Sequence, residues 1–381
     1  METYIPDARS SAIFRKFVER ETSESSARIA FWRSLPDLPT RAPDGHKGSF
    51  GTTLIVGGSR GMSGAVALAG ITSLVCGSGL TRVVAPSAIQ DVVAGYHAEY
   101  TTIGAACDES GRLSESALET ILDAARSATV VAVGPGLGRS PELDRLVERL
   151  YLDLPQCAIF DADALNALAS TRFFDATLAR ASQPYRARVL TPHPGEFARL
   201  FKVKPSAELD DRIARAVTAS REICLSRHTF CYDAERDERA VLLLKGRRTV
   251  VARSYARVVE GAQSGASKKI ALESEYAVNE TGTANLATGG SGDALTGVIA
   301  GLIAQGHDVW RGTILGAALH GLSSELRALL VPRGGLASDV ARFLPCAMAV
   351  YDAIKRRVGA SGAARTVETE SSEFVDVLER S

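Results

Sequence analysis

What constrains this chain most is a series of short, almost continuously apolar segments, each closed by glycine, proline or aspartate. Thr52-Thr-Leu-Ile-Val56 runs into Gly57-Gly58, Thr81-Arg-Val-Val-Ala85 into Pro86, and Thr129-Val-Val-Ala-Val133 into Gly134. Ala158-Ile-Phe160, Arg188-Val-Leu190 and Val241-Leu-Leu-Leu244 continue the series, and Gly64 to Cys76 reads as a helix rich in small residues. Strands that are apolar throughout must be covered on both faces, the condition of a parallel sheet flanked by helices. The expected fold class is therefore α/β, a mostly parallel central sheet with helices on both faces. In open sheets of this kind ligands bind beyond the carboxyl ends of the strands. Those ends carry Gly57-Gly58-Ser59, Gly134 to Gly138, Asp161 to Asp163, Pro192-His193 and Lys245-Gly246. Five motifs scattered in sequence would thus converge on one cleft, which points to an enzyme.

The segment from Asn279 to Gly297 suggests the chemistry. Gly289, Gly290 and Gly292 precede Asp293, and a helical apolar pattern follows in Ala294, Leu295, Val298, Ile299, Leu302 and Ile303. Glycines let backbone N–H groups turn toward an anion, and a helix N-terminus adds partial positive charge. A carboxylate beside such an anion hole suits a base that takes a proton from a hydroxyl attacking phosphorus. Gly-Ser-Gly-Asp alone also fits a plain turn with Asp293 as a helix cap. The Gly57 to Ala65 and Val133 to Gly138 loops lack the Gly-Lys-Ser/Thr of a P-loop, and each permits close backbone approach to a ligand. In Thr191-Pro-His-Pro-Gly-Glu196 two prolines fix the backbone around His193, and Glu196 opens the next helix. Both residues also read as ordinary turn and first-turn groups.

Bulk properties exclude some classes. Lys+Arg 44 against Asp+Glu 44 gives no net charge, so neither nucleic acid nor an acidic membrane surface is indicated. Six dispersed cysteines with no Cys-x-x-Cys pair point to free thiols in a reducing compartment. No signal peptide or membrane-spanning run is evident, and a cytoplasmic location is expected. Residues 1–44 read as a helical extension and proline-bearing linker, 45–358 as the catalytic domain, and 359–381 as a flexible tail.

Seven motifs in one order now define a resemblance. They are His46-Lys-Gly-Ser-Phe-Gly-Thr, the Gly57 to Ala65 loop, Gly134-Pro-Gly-Leu-Gly138, Asp161-Ala-Asp-Ala-Leu-Asn166, Thr191 to Glu196, Leu244-Lys-Gly246 and Ala287 to Gly297. Over roughly residues 45 to 350 the chain closely resembles the ADP/ATP-dependent (S)-NAD(P)H-hydrate dehydratases of the ribokinase-like superfamily. Gly334 to Asp339 with Leu344-Pro345 resembles that family's closing segment.

The resemblance implies a repair lyase. NADH or NADPH hydrated at C6 of the nicotinamide ring (NADHX, NADPHX) would be phosphorylated on that hydroxyl by a nucleotide and then lose phosphate. Asp293 becomes the base, with Gly290, Ser291 and Gly292 as the anion hole. Ala65, Gly136, His193 and Asp293 map onto contacts to the hydrated coenzyme. Lys245, Gly246, Arg247, Arg248, Thr249 and Gly292 map onto nucleotide contacts. Glu196 maps onto the acidic residue associated with Mg2+. A homo-oligomer, a tetramer among the options, and coupling to a separate NAD(P)H-hydrate epimerase are also implied, residues 1–45 being too short for a fused one. Lys245-Gly-Arg-Arg-Thr249 and Thr288-Gly-Gly-Ser-Gly-Asp293 follow the bacterial, ADP-using pattern, so ADP giving AMP is expected.

Two departures stand out. Where the family has Asn-Pro-Thr-Gly-Asn-Pro-Gly-Met this chain has Asn279-Glu-Thr-Gly-Thr-Ala-Asn-Leu286, a loss of two prolines and a glycine that predicts a looser nucleotide-side loop. The stretch from Ser254 to Ala277 is also longer than expected. Two other readings share the Gly-x-Gly-Asp core. A small-molecule alcohol kinase of the same superfamily would not need all of the remaining motifs, and a catalytically idle nucleotide-binding protein would not need Asp293.

Overall fold

The computed structural model describes residues 4–23, 25–171, 173–174, 187–225, 240–259, 269–359 and 373–376. The chain opens with helices α1 (Ala8–Ser23) and α2 (Ser26–Ser34). Strands and helices then alternate: β1 (Thr52–Val56), α3 (Ser63–Cys76), β2 (Leu80–Pro86), α4 (Gln90–Ala94), β3 (Thr101–Ala105), α5 (Leu118–Ala125), β4 (Val130–Val133) and α6 (Pro141–Asp153). The alternation continues through β5 (Cys157–Phe160), α7 (Asp163–Ser170), β6 (Arg188–Leu190), α8 (Pro194–Phe201), α9 (Leu209–Leu225) and β7 (Ala240–Leu244). Two long strands, β8 (Val250–Val259) and β9 (Lys269–Val278), precede α10 (Ser291–Ala304), α11 (Val309–Leu330), α12 (Ser338–Val358) and a short β10 (Glu373–Asp376).

Among the described residues the strands form one sheet in the order β10-β9-β8-β7-β6-β5-β4-β1-β2-β3. Pairing is parallel from β7 through to β3 and antiparallel from β7 to β10. The expected mostly parallel sheet is present, and the extra length after Lys245-Gly246 is an antiparallel extension of it. Ser254 to Ala277 lies in the β8–β9 pair, whose connection at 260–268 is outside the described residues. Most of the expected flexible tail also falls outside them, as does Cys231. Glu373–Asp376 pairs with Lys269–Leu272.

The pleat sends alternate residues to opposite faces, so each apolar strand feeds two cores. Leu54, Val56, Val131 and Val133 pack with Ile121 of α5, Leu146 of α6, Leu165 of α7, Phe197 of α8 and Ile223 of α9. Ile55, Val83, Val130 and Ala132 face the other way, toward Val66 of α3, Ile299 of α10 and Trp310 of α11. A third core lies outside that layer, where Phe14, Phe17 and Trp32 of α1 and α2 pack against Leu344, Val350 and Tyr351 of α12. The expected helical extension is thus built into the body. The Lys355 ammonium donates to the Leu35 carbonyl at 2.6 Å beneath the start of the proline stretch.

Helices α3 and α10 approach closely because of Gly297. A Cβ there would come 2.1 Å from Thr72 Oγ1 and 2.2 Å from the Ala69 carbonyl, so no larger residue fits. This contact holds α10 against α3, which follows β1, and aims its N-terminus at the carboxyl ends of the central strands.

Candidate active site

At the end of β5 the backbone turns through Ala162, a non-glycine residue with φ 48° and ψ −118°. Such a conformation costs about 1–3 kcal/mol and persists only where its surroundings enforce it. It separates two carboxylates with different tasks. Asp161 is 1% exposed. Its Oδ1 accepts from Thr191 Oγ1 at 2.7 Å and Lys245 Nζ at 2.6 Å, and its Oδ2 from Thr296 Oγ1 at 2.8 Å. Asp163 accepts from the Gly138 N–H at 2.9 Å, tying the second glycine loop to this strand end.

Above Asp161 sits the start of α10. Gly290 has φ +87°, a left-handed conformation that turns the chain into the helix, and a Cβ on it would press on Leu68 Cδ1 at 2.8 Å and Ala337 Cβ at 3.0 Å. Ala337 belongs to the closing segment singled out in the sequence. A Cβ on Gly292 would lie 3.3 Å from Lys245 Nζ and 3.8 Å from Asp161 Oδ2. Asp293 follows in the first helical turn. Burial first, then the charge of Asp161, push its carboxyl up to about 7, against the pull of Lys245. A helix N-terminus ordinarily favours a carboxylate, so this shift marks a group held near neutrality as an acid–base residue would be. Ser291 is gripped from behind by His320 of α11, whose Nε2 lies 3.0 Å from the Ser291 carbonyl and 3.2 Å from its hydroxyl. A carbonyl only accepts, so Nε2 carries the proton. Burial lowers the His320 ring to about 4 and keeps it neutral.

His193 and Glu196 cap α8 reciprocally. His193 Nδ1 accepts from the Gly195 N–H at 2.9 Å, while the His193 N–H donates to Glu196 Oε2 at 2.8 Å. The local reading of the two as turn and first-turn groups therefore holds, and together they form a capping box. Yet they also face the cleft: Glu196 Oε2 lies 3.9 Å from Lys245 Nζ and Oε1 3.3 Å from His193 Nε2. Burial raises the Glu196 carboxyl to about 7, with Lys245 opposing, and burial followed by Lys245 and Arg199 lowers the His193 imidazole.

The two glycine loops interlock. Gly58 N–H donates to the Pro135 carbonyl at 2.8 Å and Ser59 Oγ to the Gly136 carbonyl at 2.8 Å. A Cβ on Gly136 would lie 3.0 Å from Ala65 Cβ, which makes these two residues immediate neighbours. On the other side, Lys245 to Thr249 form the β7–β8 turn. Buried Arg212 donates to the carbonyls of Leu244 at 3.3 Å and Lys245 at 3.4 Å, and also to that of Arg247. Thr249 Oγ1 donates to the Gly246 carbonyl at 3.0 Å, and Arg248, with φ +55°, pairs with Glu280.

The structure thus gathers Lys245, Glu196, His193, Gly292 and Asp293 at one strand-end cluster, with Ala65 and Gly136 paired beside it. Arg248 points instead to Glu280. Asp161, Thr191, Thr296 and His320 belong to the same constellation; the first three lie in motifs read from the sequence but received no role there, and His320 was not singled out. Asp161 had a local signal, a carboxylate ending a buried strand; the other three act through contacts remote in the chain.

The Asn279–Leu286 loop, expected to be looser for its missing prolines, is bonded to α11. Asn279 Nδ2 donates to the Thr281 carbonyl at 3.1 Å and the Ala317 carbonyl at 3.2 Å. Thr281 Oγ1 donates to the Ala318 carbonyl at 2.9 Å, and Gly282 N–H to Glu325 Oε1 at 2.8 Å. Side-chain bonds to α11 take the place of proline stiffness.

Residues 53–345 match the family described as NAD(P)H-hydrate dehydratase. The bifunctional NAD(P)H-hydrate repair enzyme Nnr of Moorella thermoacetica is 37% identical over 310 residues, 81% of this chain and 51% of that protein. The ADP-dependent (S)-NAD(P)H-hydrate dehydratase of Neisseria meningitidis serogroup B is 32% identical over 79% of this chain and 86% of its own length. The chain spans about half the length of the bifunctional relatives it matches. The crystal structure of ADP/ATP-dependent NAD(P)H-hydrate dehydratase from Bacillus subtilis, co-crystallised with ATP and Mg2+, superposes with a TM-score of 0.61 at 24% identity, covering 85% of this chain and 97% of that one. No helix among the described residues is long and apolar enough to cross a membrane. Sequence motifs, sheet order and these matches agree, and the chain belongs to the NAD(P)H-hydrate dehydratase family, in the ribokinase-like α/β fold.

Proposed function

We propose that this protein dehydrates (S)-NADHX and (S)-NADPHX to NADH and NADPH, consuming a nucleoside diphosphate or triphosphate. The observation that carries the reading is Asp293, a carboxyl held near neutrality in the first turn of α10, beside the backbone N–H groups of Gly290, Ser291 and Gly292. Asp293 takes the proton from the C6 hydroxyl as that oxygen attacks the terminal phosphorus of the donor. The glycine-rich turn stabilises the transferring phosphoryl group, where charge develops. The donor leaves shortened by one phosphate. The lone pair of the ring nitrogen then expels the new phosphate from C6, and loss of a C5 proton completes the C5–C6 double bond.

Ala65, Gly136 and His193 are proposed to hold the hydrated coenzyme, and Lys245 to Thr249 with Gly292 the nucleotide. Among the described residues no three His, Cys, Asp or Glu side chains gather to cage a metal. That fits Mg2+ arriving on the nucleotide phosphates with one or two protein carboxylates, and Glu196 is the carboxylate we assign to it. The ion would neutralise phosphate charge. ADP is the proposed donor, with AMP as product, from the Lys-Gly-x-x-Thr and Thr-Gly-Gly-Ser-Gly-Asp patterns. A homo-oligomer in the cytoplasm is proposed, coupled to an epimerase activity that converts the R-form into the S-form.

The test is recovery of absorbance near 340 nm from hydrated coenzyme, with ADP and ATP each freed of the other. No recovery with either nucleotide from folded protein refutes the reading. A higher kcat/KM for ATP, with ADP formed, overturns only the donor assignment.

A further inference from the structure

A side chain of the N-terminal helices reaches the Asn279–Leu286 loop, on the proposed nucleotide side. Arg28 of α2 donates through Nη1 to the carbonyl of Glu280 at 3.1 Å, across 252 residues of sequence. Its Nε pairs with Glu21 of α1, which is 2% exposed and also accepts from Trp32 Nε1 at 3.0 Å. Its Nη2 lies 4.0 Å from Glu325 Oε2, the carboxylate that holds the Gly282 N–H. The guanidinium stands 5.2 Å from the centre of the Trp32 ring, so packing as well as charge fixes its direction.

Glu280 is held from two sides. While Arg28 binds its carbonyl, its carboxylate accepts from Arg248 Nε at 3.0 and 3.1 Å, in the β7–β8 turn. Position 280 is where the resembling family carries the first proline of its loop. A proline would fix the backbone there by its ring; this chain anchors the same residue at carbonyl and side chain instead. From Leu286 the loop runs directly through Ala287 and Thr288 into Gly289-Gly290, so its placement sets that of the proposed anion hole.

We propose that Arg28 is a positioning residue for nucleotide binding, by which the N-terminal helices hold the Asn279–Leu286 loop and, through Glu280, the Arg248 turn. This rests on the nucleotide-dependent reading given above. A role confined to packing α1 on α2 would lower stability without separating the two substrates. A positioning role separates them.

The test uses the full chain carrying Arg28→Met, which keeps the stem and removes the guanidinium, and Arg28→Lys, which keeps a cation but loses the planar fork that spans Glu21 and the Glu280 carbonyl. For each, KM is measured separately for ADP, ATP and hydrated coenzyme, with nucleotide dissociation constants by calorimetry. Losing a charge-assisted bond predicts nucleotide KM and dissociation constant raised about tenfold in Arg28→Met. The rise in Arg28→Lys is expected to be smaller, with coenzyme KM within about threefold of wild type. Unchanged nucleotide constants in folded Arg28→Met, or equal rises in both KM values, overturn the proposal. A wild-type protein that binds nucleotide without recovering coenzyme refutes the dehydratase reading alone, and the calorimetric comparison then decides Arg28.

Discussion

The Lys245 ammonium lies 2.6 Å from the Asp161 carboxylate, 84 residues away in sequence, and a methyl group on Gly292 would come within 3.3 Å of that same nitrogen. One ion pair therefore joins the end of β5, the end of β7 and the N-terminus of α10. Burial alone would lower the lysine, but Asp161 and Glu196 outweigh it and hold its proton more tightly than usual. Lys245 also lowers the Asp293 and Glu196 carboxyls, which burial pushes up.

Replacing Lys245 with Met should accordingly have two separable effects. Asp161 loses one of its three donors and becomes a buried charge without a counterion, at a cost of about 3 kcal/mol or more. Asp293 loses a cation, so the acid limb of the pH–rate profile should move to higher pH. A melting curve and a pH profile together test this. A variant as stable as wild type with an unmoved limb would contradict it.

Asp293→Asn keeps shape and removes the proposed base. Turnover should fall roughly 10²- to 10⁴-fold, the range of a lost general base. Stability should move the other way. Burial pushes the folded carboxyl up to about 7 from the ordinary 3.8, so ionising it opposes folding. Its favourable contribution is complete below about pH 4 and is lost as pH rises through 7. At pH 8 the Asn variant should therefore melt no lower than wild type. Normal turnover with a lower melting temperature would return Asp293 to a capping role.

The pH dependence of the wild type follows from the same group. Below about pH 7 Asp293 is protonated, and kcat/KM should fall by about tenfold per unit. Glu196, raised to about 7 by burial, falls in the same window, and its charge raises Asp293. The observed midpoint thus belongs to the pair. Glu196→Gln removes one negative charge and should shift the limb to lower pH while weakening magnesium dependence. A limb that stays in place in Glu196→Gln would mean that the two do not share a field.

Much of this organisation is legible in the sequence, because apolar strands and their glycine or proline ends are local signals. β1, β5, β6 and β7 fall where their valine, leucine and isoleucine runs place them. β3 is missed: Thr101-Thr-Ile-Gly-Ala105 is a half-exposed edge strand with little apolar patterning. The β8–β9 pair is missed for another reason. Arg253 stands opposite Glu275 and donates to it at 3.0 Å, a cross-strand ion pair whose members look like loop residues when read singly. Within the site, the glycines and Asp293 announce themselves through local turn chemistry. Thr191 and Thr296 gain meaning only because both reach Asp161, from 30 and 135 residues away.

His320 is the least legible member of the site, a buried histidine in the middle of α11 with no motif around it. It holds Ser291 from behind, at the carbonyl and the hydroxyl, through a single protonated nitrogen. Burial keeps the ring neutral to about pH 4, so its hydrogen bond should persist unchanged across the working range. His320→Ala leaves the Ser291 carbonyl without that donor, at about 1–3 kcal/mol, and frees the turn that carries the proposed anion hole. Since this turn is proposed to act on the transferring phosphoryl group, the loss should fall on kcat, by about 10-fold or more, with little change in the acid limb assigned to Asp293. His320→Gln, which can still donate an N–H, should recover part of the rate. A rate loss in His320→Ala that disappears at high pH, or no recovery in a folded Gln variant, would show that the ring acts by titration or by packing instead.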